Sequence, residues 1–276
     1  GYARTRRAFP AELRQAERYR KMRKNLFSLE GRLALVTGSG QGIGLALAKG
    51  LAEHGAAVVL NGRDRARVEG AATGLRETGL VAHVSTFDVT DQKAVEHDVA
   101  RIEAEIGPIE ILVNNAGVQF RSPLDEFPEE EWERLFRTNV TGTFHVAKAV
   151  ARRMIPRGRG KIINVGSVNS ELARQTIAPY SATKGAIRNL TRGMCADWAR
   201  HGLQINALAP GYFRTELNRA LVENAEFSDW LEKRTPARRW GDVDELVGAA
   251  VFLASDGSSF VNGHTLYVDG GITASI

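Results

Sequence analysis

A tyrosine and a lysine four residues apart, Tyr180 and Lys184 in YSATK, form the pair whose types and spacing carry chemistry most directly. On a helix, that spacing puts both side chains on one face. A phenol with a pKa of ~10 exchanges protons poorly at neutral pH, and a neighbouring ammonium lowers that pKa by favouring the phenolate. Tyr180 is therefore expected to serve as general acid towards a carbonyl, or as general base towards an alcohol. Upstream, KIINVGSVNS ends an apolar run at Ser167, whose hydroxyl can polarise the same oxygen. RTNVTG places Asn139 inside a helical stretch, where asparagine is a poor former and needs another reason to stand. Taken singly, each of the four reads as an ordinary structural residue. Their meaning comes from occurring together, and with a glycine loop.

That loop lies in LALVTGSGQGIGLALAKGLAEHGAAVVLNGRD, which reads strand, glycine turn, helix, strand. Gly38, Gly42 and Gly44 give the spacing G-x-x-x-G-x-G, with Ser39, Gln41 and Ile43 between them. Glycine lets backbone approach a pyrophosphate, and the following helix turns its free N–H groups and positive dipole end towards it. The second strand of such a unit usually ends in an acid that holds a ribose. Here the strand runs into Asn61, Gly62 and Arg63. With no carboxylate at that place, nothing repels a 2′-phosphate, and Arg63 offers a bidentate partner for one, so the expected cofactor is NADP. Asp64 reads as the N-cap of the next helix.

The elements that must position these residues follow from the apolar pattern. Strands are expected near 33–37, 56–61, 81–86, 109–114, 160–166, 203–209 and 265–268, and helices near 42–54, 64–78, 91–106, 129–154, 178–200 and 242–254. Such alternation predicts a doubly wound α/β fold, a parallel sheet covered on both faces. Residues 212–240 complete no plain crossover and are expected to form a lid over the substrate.

Composition narrows the classes. The chain of 276 residues carries a formal charge of +5, but residues 1–21 hold seven Lys/Arg against Glu12 and Glu17, so the remainder has 30 basic and 30 acidic residues. A neutral body behind a basic extension, taken here as residues 1–29 with Met22 as a plausible natural start, does not read as a nucleic-acid binder. No apolar run is long enough to span a bilayer, and the single cysteine, Cys195, fits a reducing compartment, by default the cytoplasm. The six histidines show no ligand spacing, so no metal is expected.

With these motifs in order, the sequence resembles the short-chain dehydrogenase/reductase family over residues 30–276. The matching elements are TGSGQGIG, FDV with Asp88, NNAG (Asn114, Asn115, Ala116, Gly117), Asn139, Ser167, Tyr180, Lys184, and PGYFRT with Pro210, Gly211 and Thr215. The resemblance implies a single Rossmann-type domain with seven strands, a homotetramer and a catalytic tetrad of Asn139, Ser167, Tyr180 and Lys184. It also implies cofactor contacts from the glycine loop, Asn61, Asp88, Val89, Asn115 to Gly117, and Pro210 to Thr215. Lys184 would grip the nicotinamide ribose, and Asn139 would order a water linking Lys184 to solvent. One departure is Gly166, where a second serine often stands.

Within the family, GVQFRSPL, IAPYSATKGA, APGYFRTELN, EKRTPARRWG and SSFVNGHTLYVDGGITAS resemble the branch that acts on sugar acids. The implied reaction interconverts D-gluconate and 5-keto-D-gluconate by hydride transfer at C5. The alternative is another short-chain reductase, such as a 3-oxoacyl carrier-protein reductase or a dehydrogenase of a different sugar acid. A sugar-acid carboxylate leaving water calls for a cation. Arg121, with Gln119 beside it as a hydroxyl partner, is the first choice, and Arg174, in the loop between Ser167 and Tyr180, is the second. Asn169 completes the expected substrate set with Ser167 and Tyr180.

Overall fold

Seven apolar runs form seven strands: β1 (Leu33–Val36), β2 (Ala57–Asn61), β3 (Ala82–Ser85), β4 (Ile109–Asn114), β5 (Gly160–Val165), β6 (Leu203–Pro210) and β7 (Thr265–Val268). All are parallel, in the order β3-β2-β1-β4-β5-β6-β7. The chain winds outward in both directions from β1 and β4, so the crossovers diverge there and leave a crevice at the carboxyl ends of those two strands. The computed structural model describes residues 25–275; residues 1–24, which hold nearly all of the basic extension and Met22, lie outside the described residues.

The helices are α1 (Gly42–Glu53), α2 (Arg65–Glu77), α3 (Gln92–Glu105), α4 (Glu129–Phe136), α5 (Thr143–Arg157), α6 (Ala178–Trp198), α7 (Arg219–Val222), α8 (Ala225–Arg234) and α9 (Val247–Ala254). On one face of the sheet, Leu47 and Leu51 of α1, Val68 and Leu75 of α2, and Ala250 and Val251 of α9 close one core. On the other, Val95, Val99 and Ile102 of α3, Val146 and Val150 of α5, and Met194 of α6 close a second. Burial on both faces explains why β1 reads as a continuous rather than an alternating apolar run. Asp64 caps α2 as expected, accepting a hydrogen bond from the Arg67 N–H at 3.1 Å.

Two expected elements differ in detail. The helix expected over 129–154 is interrupted, because Arg137–Gly142 forms a π-helical turn between α4 and α5. The extra residue per turn is a local unwinding that the surrounding 3.6-residue pattern conceals. The helix expected from 242 instead opens with a 3₁₀ turn over Val243–Leu246, held by a capping box between Asp242 and Glu245. Residues 211–241 leave the sheet after β6 and include α7 and α8. They pack through Leu231 and Trp240 against Val168 and Ile272, at the same end of the sheet as the crevice.

Candidate active site

The crevice opens into a cleft of about 250 Å³ lined from four sides: the glycine loop, the ends of β4 and β5, the start of α6, and the segment after β6. Gly38, Gln41, Gly42, Ile43, Gly44, Asn115, Gly117, Pro210, Gly211 and Thr215 all line it, as do Gln119, Arg121, Ser167, Asn169, Arg174, Tyr180 and Lys184.

The glycine loop fits a dinucleotide because it has no room for side chains. A Cβ on Gly44 would stand 2.3 Å from the Gly38 carbonyl oxygen, and one on Gly38 would stand 2.8 Å from the Ala116 Cα. Gly42 takes a left-handed φ of 58°. Gln41, at the N-cap of α1, makes no side-chain cap, so the first N–H groups of the helix remain available to a phosphate. Thr37, which the sequence reading passed over, ties the loop to β4: its Oγ1 accepts from the N–H groups of Asn115 at 3.0 Å and Ala116 at 3.1 Å. Asn115 in turn donates through Nδ2 to the carbonyls of Thr37 and Gly38.

Several residues expected to touch the cofactor have their side chains committed elsewhere. Ser39 is fully buried, its Oγ donating to the Val36 carbonyl at 2.7 Å and accepting from the Asn61 N–H at 3.0 Å. The buried Asn61 amide donates to the carbonyls of Ser85 and Phe87. Both thus shape the rim on which an adenosine would lie. Val89 is buried against Gly142 of the π-helical turn, where a Cβ would come within 2.7 Å of Val89 Cγ2. Asp88 accepts from Thr90 and has Arg63 Nη1 at 3.9 Å. Arg63 itself is open to solvent, its side chain 74% exposed. The stem of Arg67 flanks the same rim, with its Cγ 3.3 Å from where a Cβ on Gly40 would be.

The tetrad converges. Ser167, at the end of β5, accepts at its Oγ from the Asn169 N–H (3.1 Å) and Nδ2 (3.2 Å). With its lone pairs so used, its own proton is free to point towards Tyr180 and the cleft. Tyr180 and Lys184 share one face of α6, with the Lys184 Nζ 5.6 Å from the Tyr180 ring centroid. Lys184 is buried and donates to the Val165 carbonyl at 2.8 Å. Asn139 sits in the π-helical turn, and both ends of its amide are bonded. Its Oδ1 accepts from the Val118 N–H, and its Nδ2 donates to the Val118 carbonyl and to Thr183 Oγ1. Thr183 Oγ1 then donates to the Tyr180 carbonyl at 2.7 Å. The asparagine side chain therefore clamps the β4 loop to α6, while its main-chain carbonyl accepts from Thr143 Oγ1 at 2.8 Å.

Burial dominates the electrostatics of the phenol. It pushes Tyr180 up to about 12, only partly opposed by Ser167 and by the positive charge of Arg121, while Tyr212 adds to the rise. Burial also brings the Lys184 ammonium down to about 8. The two groups thus exchange their ordinary order, because each loses hydration in its charged form.

Arg121 and Arg174 both reach the cleft, and among the described residues neither has a carboxylate within ion-pair distance. Arg174 lies over the Phe227 ring at 5.3 Å, and its buried Nε donates to no acceptor. Arg121 is the more exposed of the two. Burial, then the like charge of Arg174, hold its guanidinium below the ordinary value, while Tyr212 and Tyr180 act the other way. Arg121, the first choice from sequence position, is joined on an equal footing by Arg174 through its buried, unpartnered Nε. Tyr212 was missed. Burial raises its phenol, the positive charge of Arg174 opposes that rise, and its ring packs against Phe227 and Trp240. Its only signal in the sequence was its place just after Pro210 and Gly211.

A bare phosphate cradle at the switch point of a parallel sheet, with a tyrosine, serine and lysine at its far end, defines a nicotinamide-dependent oxidoreductase of the Rossmann type. Residues 38–273 match the family profile described as enoyl-(acyl carrier protein) reductase. The chain belongs to the short-chain dehydrogenase/reductase family. It is 63% identical over 252 residues to the gluconate 5-dehydrogenase of Gluconobacter oxydans (strain 621H), covering 91% of this chain and 98% of that one. It is 52% identical to the 5-keto-D-gluconate 5-reductase of Escherichia coli (strain K12), covering 91% and 99%. Among solved structures, a gluconate 5-dehydrogenase from Burkholderia cenocepacia J2315, in complex with NADP and tartrate, superposes with a TM-score of 0.90 at 61% identity, covering 91% of this chain and 99% of that one.

Proposed function

We propose that this enzyme interconverts D-gluconate and 5-keto-D-gluconate with NADP as cofactor. The observation that carries the reading is the pair of guanidiniums, Arg121 and Arg174, turned into the catalytic cleft without a carboxylate partner among the described residues. Two cations forced together and partly desolvated are tolerated where an anionic ligand offsets them. The named activities of the relatives at 63% and 52% identity agree with that ligand being a sugar acid. A 3-oxoacyl thioester, by contrast, brings no anion to the carbonyl it presents and gives the arginine pair no work.

A nicotinamide cofactor would supply or accept the hydride when bound, and Lys184, Asn115 and Gly117, which line the cleft, are the residues that would hold it. In the reductive direction the Tyr180 phenol, held protonated by burial, gives its proton to the C5 carbonyl oxygen. The Ser167 hydroxyl, oriented by the two donors of Asn169, hydrogen-bonds the same oxygen as negative charge develops on it. In the oxidative direction Tyr180 takes the alcohol proton. At the adenosine end, Gly62 leaves the 2′ position without a carboxylate, and the solvent-exposed Arg63, whose ion pair with Asp88 spans 3.9 Å, can turn to meet a phosphate. The segment 212–240 acts as the substrate lid, with Tyr212 and Phe227 as its inner face.

The assembly expected is a homotetramer. Its support is apolar surface left uncovered on separate faces: Trp132 and Phe144 beside the π-helical turn, and Phe260, wholly exposed, before β7. Light scattering on the eluted peak tests it. No helix among the described residues is long and apolar enough to cross a membrane, and with its single cysteine the chain fits the cytoplasm. The decisive assay for function is NADPH oxidation with 5-keto-D-gluconate, beside acetoacetyl thioester as the competing substrate. Arg121→Met and Arg174→Met should each lower kcat/KM for 5-keto-D-gluconate by roughly tenfold or more, the loss of one charged hydrogen bond. Turnover of the thioester alone overturns the reading.

A further inference from the structure

We propose that Thr176 is a positioning residue for the reaction: held in a left-handed backbone conformation, it turns its carbonyl to the Ser122 N–H and so fixes the loop that carries Arg174 against the loop that carries Arg121. The inference rests on the sugar-acid reading above and names what holds its two guanidiniums in register. Thr176 has a φ of 68°. A β-branched residue is crowded there, because its Cβ substituents press on the neighbouring backbone. Its side chain is exposed, so no burial of apolar surface is gained in return. Among the described residues, the other non-glycine residue with a positive φ is Arg238, which is unbranched at Cβ. Strained backbone of this kind persists where the surroundings over-determine it, and it collects at ligand clamps.

The loop is anchored at both ends. At its start, the Glu171 carboxylate accepts from Arg188 on α6 at 2.8 Å and from the Tyr267 hydroxyl on β7 at 3.1 Å, and Ser170 Oγ donates to the Lys184 carbonyl at 2.9 Å. At its end, Ile177 is 1% exposed, and its carbonyl accepts from the Ser181 N–H in the first turn of α6. Residues 172–176 must bend between these anchors, with Arg174 in their middle. The left-handed residue is Thr176, and there the loop meets its neighbour: the Ser122 N–H donates to the Thr176 carbonyl at 3.1 Å. Among the described residues, this is the one hydrogen bond that joins residues 118–128 to residues 170–178. Arg121 immediately precedes the donor, and Arg174 stands two residues before the acceptor. One backbone contact therefore ties together the two loops whose arginines line the cleft. A tie formed before the substrate arrives spares binding the cost of ordering both loops.

The test removes this hydrogen bond from each end and separates KM from kcat. Proline is fixed near a φ of about −65° and cannot take the Thr176 conformation, whereas asparagine takes left-handed backbone readily and keeps the carbonyl. Thr176→Pro should raise KM for 5-keto-D-gluconate by roughly tenfold or more, the loss of one charged hydrogen bond, and change kcat by less than about threefold. Ser122→Pro, which deletes the donor, should do the same. Thr176→Asn should keep the wild-type KM and raise Tm. Thr176→Pro added to Arg121→Met should cost less than the product of the two separate losses, because the tie acts through that arginine. NADPH titration and cooperative melting identify the folded variants, and hydrogen exchange at the Ser122 amide of the wild type reads the tie directly. The proposal is overturned by an unprotected Ser122 amide in the wild type, by a folded proline variant whose KM stays within about threefold of the wild type, or by losses that multiply in full. A fall in kcat alone also overturns it, because the effect would then lie on Tyr180 at the start of α6. A wild type that does not reduce 5-keto-D-gluconate overturns the sugar-acid reading, whereas wild-type turnover with silent variants overturns the tie alone.

Discussion

Placing a carboxylate at residue 62 should invert the choice of cofactor. Gly62 follows the last residue of β2, where an acid would face the adenosine ribose, and Arg63 beside it is solvent-open. In Gly62→Asp, two charge-assisted hydrogen bonds to ribose hydroxyls improve NADH binding by about 1.5–3 kcal/mol. A 2′-phosphate near 4 Å from the new carboxylate is repelled by about 4 kcal/mol per charge pair at an effective dielectric of ~20, which Arg63 in part offsets. A net swing of about 3–6 kcal/mol moves the NADPH/NADH preference by roughly a hundredfold or more. The substitution has a structural cost, because an ideal Cβ at residue 62 would stand 2.7 Å from Val68 Cγ2, and Val68 is 1% exposed. Overpacking there costs about 1–3 kcal/mol and lowers Tm, but it acts on the protein whichever cofactor is bound. The assay is kcat/KM for each cofactor at one concentration of 5-keto-D-gluconate, with thermal melts as the control. A variant that melts cooperatively yet shifts the ratio by less than tenfold refutes the reasoning about Gly62.

Arg63→Ala should raise the KM for NADPH by roughly tenfold, about 1.5 kcal/mol for one exposed phosphate contact, and leave that for NADH almost unchanged; equal losses with both would remove Arg63 from the 2′-phosphate. Tyr180→Phe should lower turnover by about 10²–10⁴-fold while retaining NADPH binding by fluorescence titration, and substantial residual activity would take the proton transfer away from Tyr180. Lys161, on β5 at the end of the sheet away from the cleft, donates to Ser258 at 3.1 Å and is brought down to about 8 by burial and by Arg32, with Asp256 opposing. A folded-state value below the usual 10.5 means that between about 8 and 10.5 the unfolded chain binds more protons, so this group makes stability rise with pH across that window. Lys184 contributes in the same direction. Lys161→Met should flatten, without abolishing, the rise in urea midpoint from pH 7.5 to 9.5, and a profile identical to the wild type would contradict the assignment.

Much of the fold was legible because a parallel sheet buried on both faces writes itself as apolar runs. β4 and β7 fall on their expected residues, and the other strands differ at their ends by a residue or two. The π-helical turn was not legible. Trp132 to Met154 keep an apparent helical rhythm, and only the odd placement of Asn139 hinted that the ladder changes there. Nor were α7 and α8, because their burial is set by Tyr212, Phe227 and Trp240 packing on one another rather than by a stripe facing the sheet.

At the site, motif spacing located the residues but not their tasks, because tasks depend on which atoms remain unpaired after folding. Ser39 and Asn61 stand where cofactor contacts were expected, yet their polar atoms serve β1 and the loop after β3. Asn139 spends its amide on Val118 and Thr183, holding the loop after β4 to α6. The pairing of Tyr180 with Lys184 suggested a lowered phenol, but sequence spacing carries no measure of hydration. Both groups lie deep enough that losing water outweighs their mutual influence, which places the phenol near 12 and the ammonium near 8. A site arranged in this way keeps its proton on Tyr180, ready to be given to a carbonyl. To run as a dehydrogenase it needs added positive charge beside the phenol, and Arg121 already supplies part of it from the substrate side. The arginine that recognises the acid and the tyrosine that moves the proton are thus electrostatically one unit. Arg121→Met should therefore move the rise of kcat for D-gluconate oxidation to higher pH, because the phenolate that oxidation requires forms less readily without its charge. A pH profile unmoved from the wild type, with only KM raised, would separate recognition from proton transfer and leave Arg121 a binding residue alone.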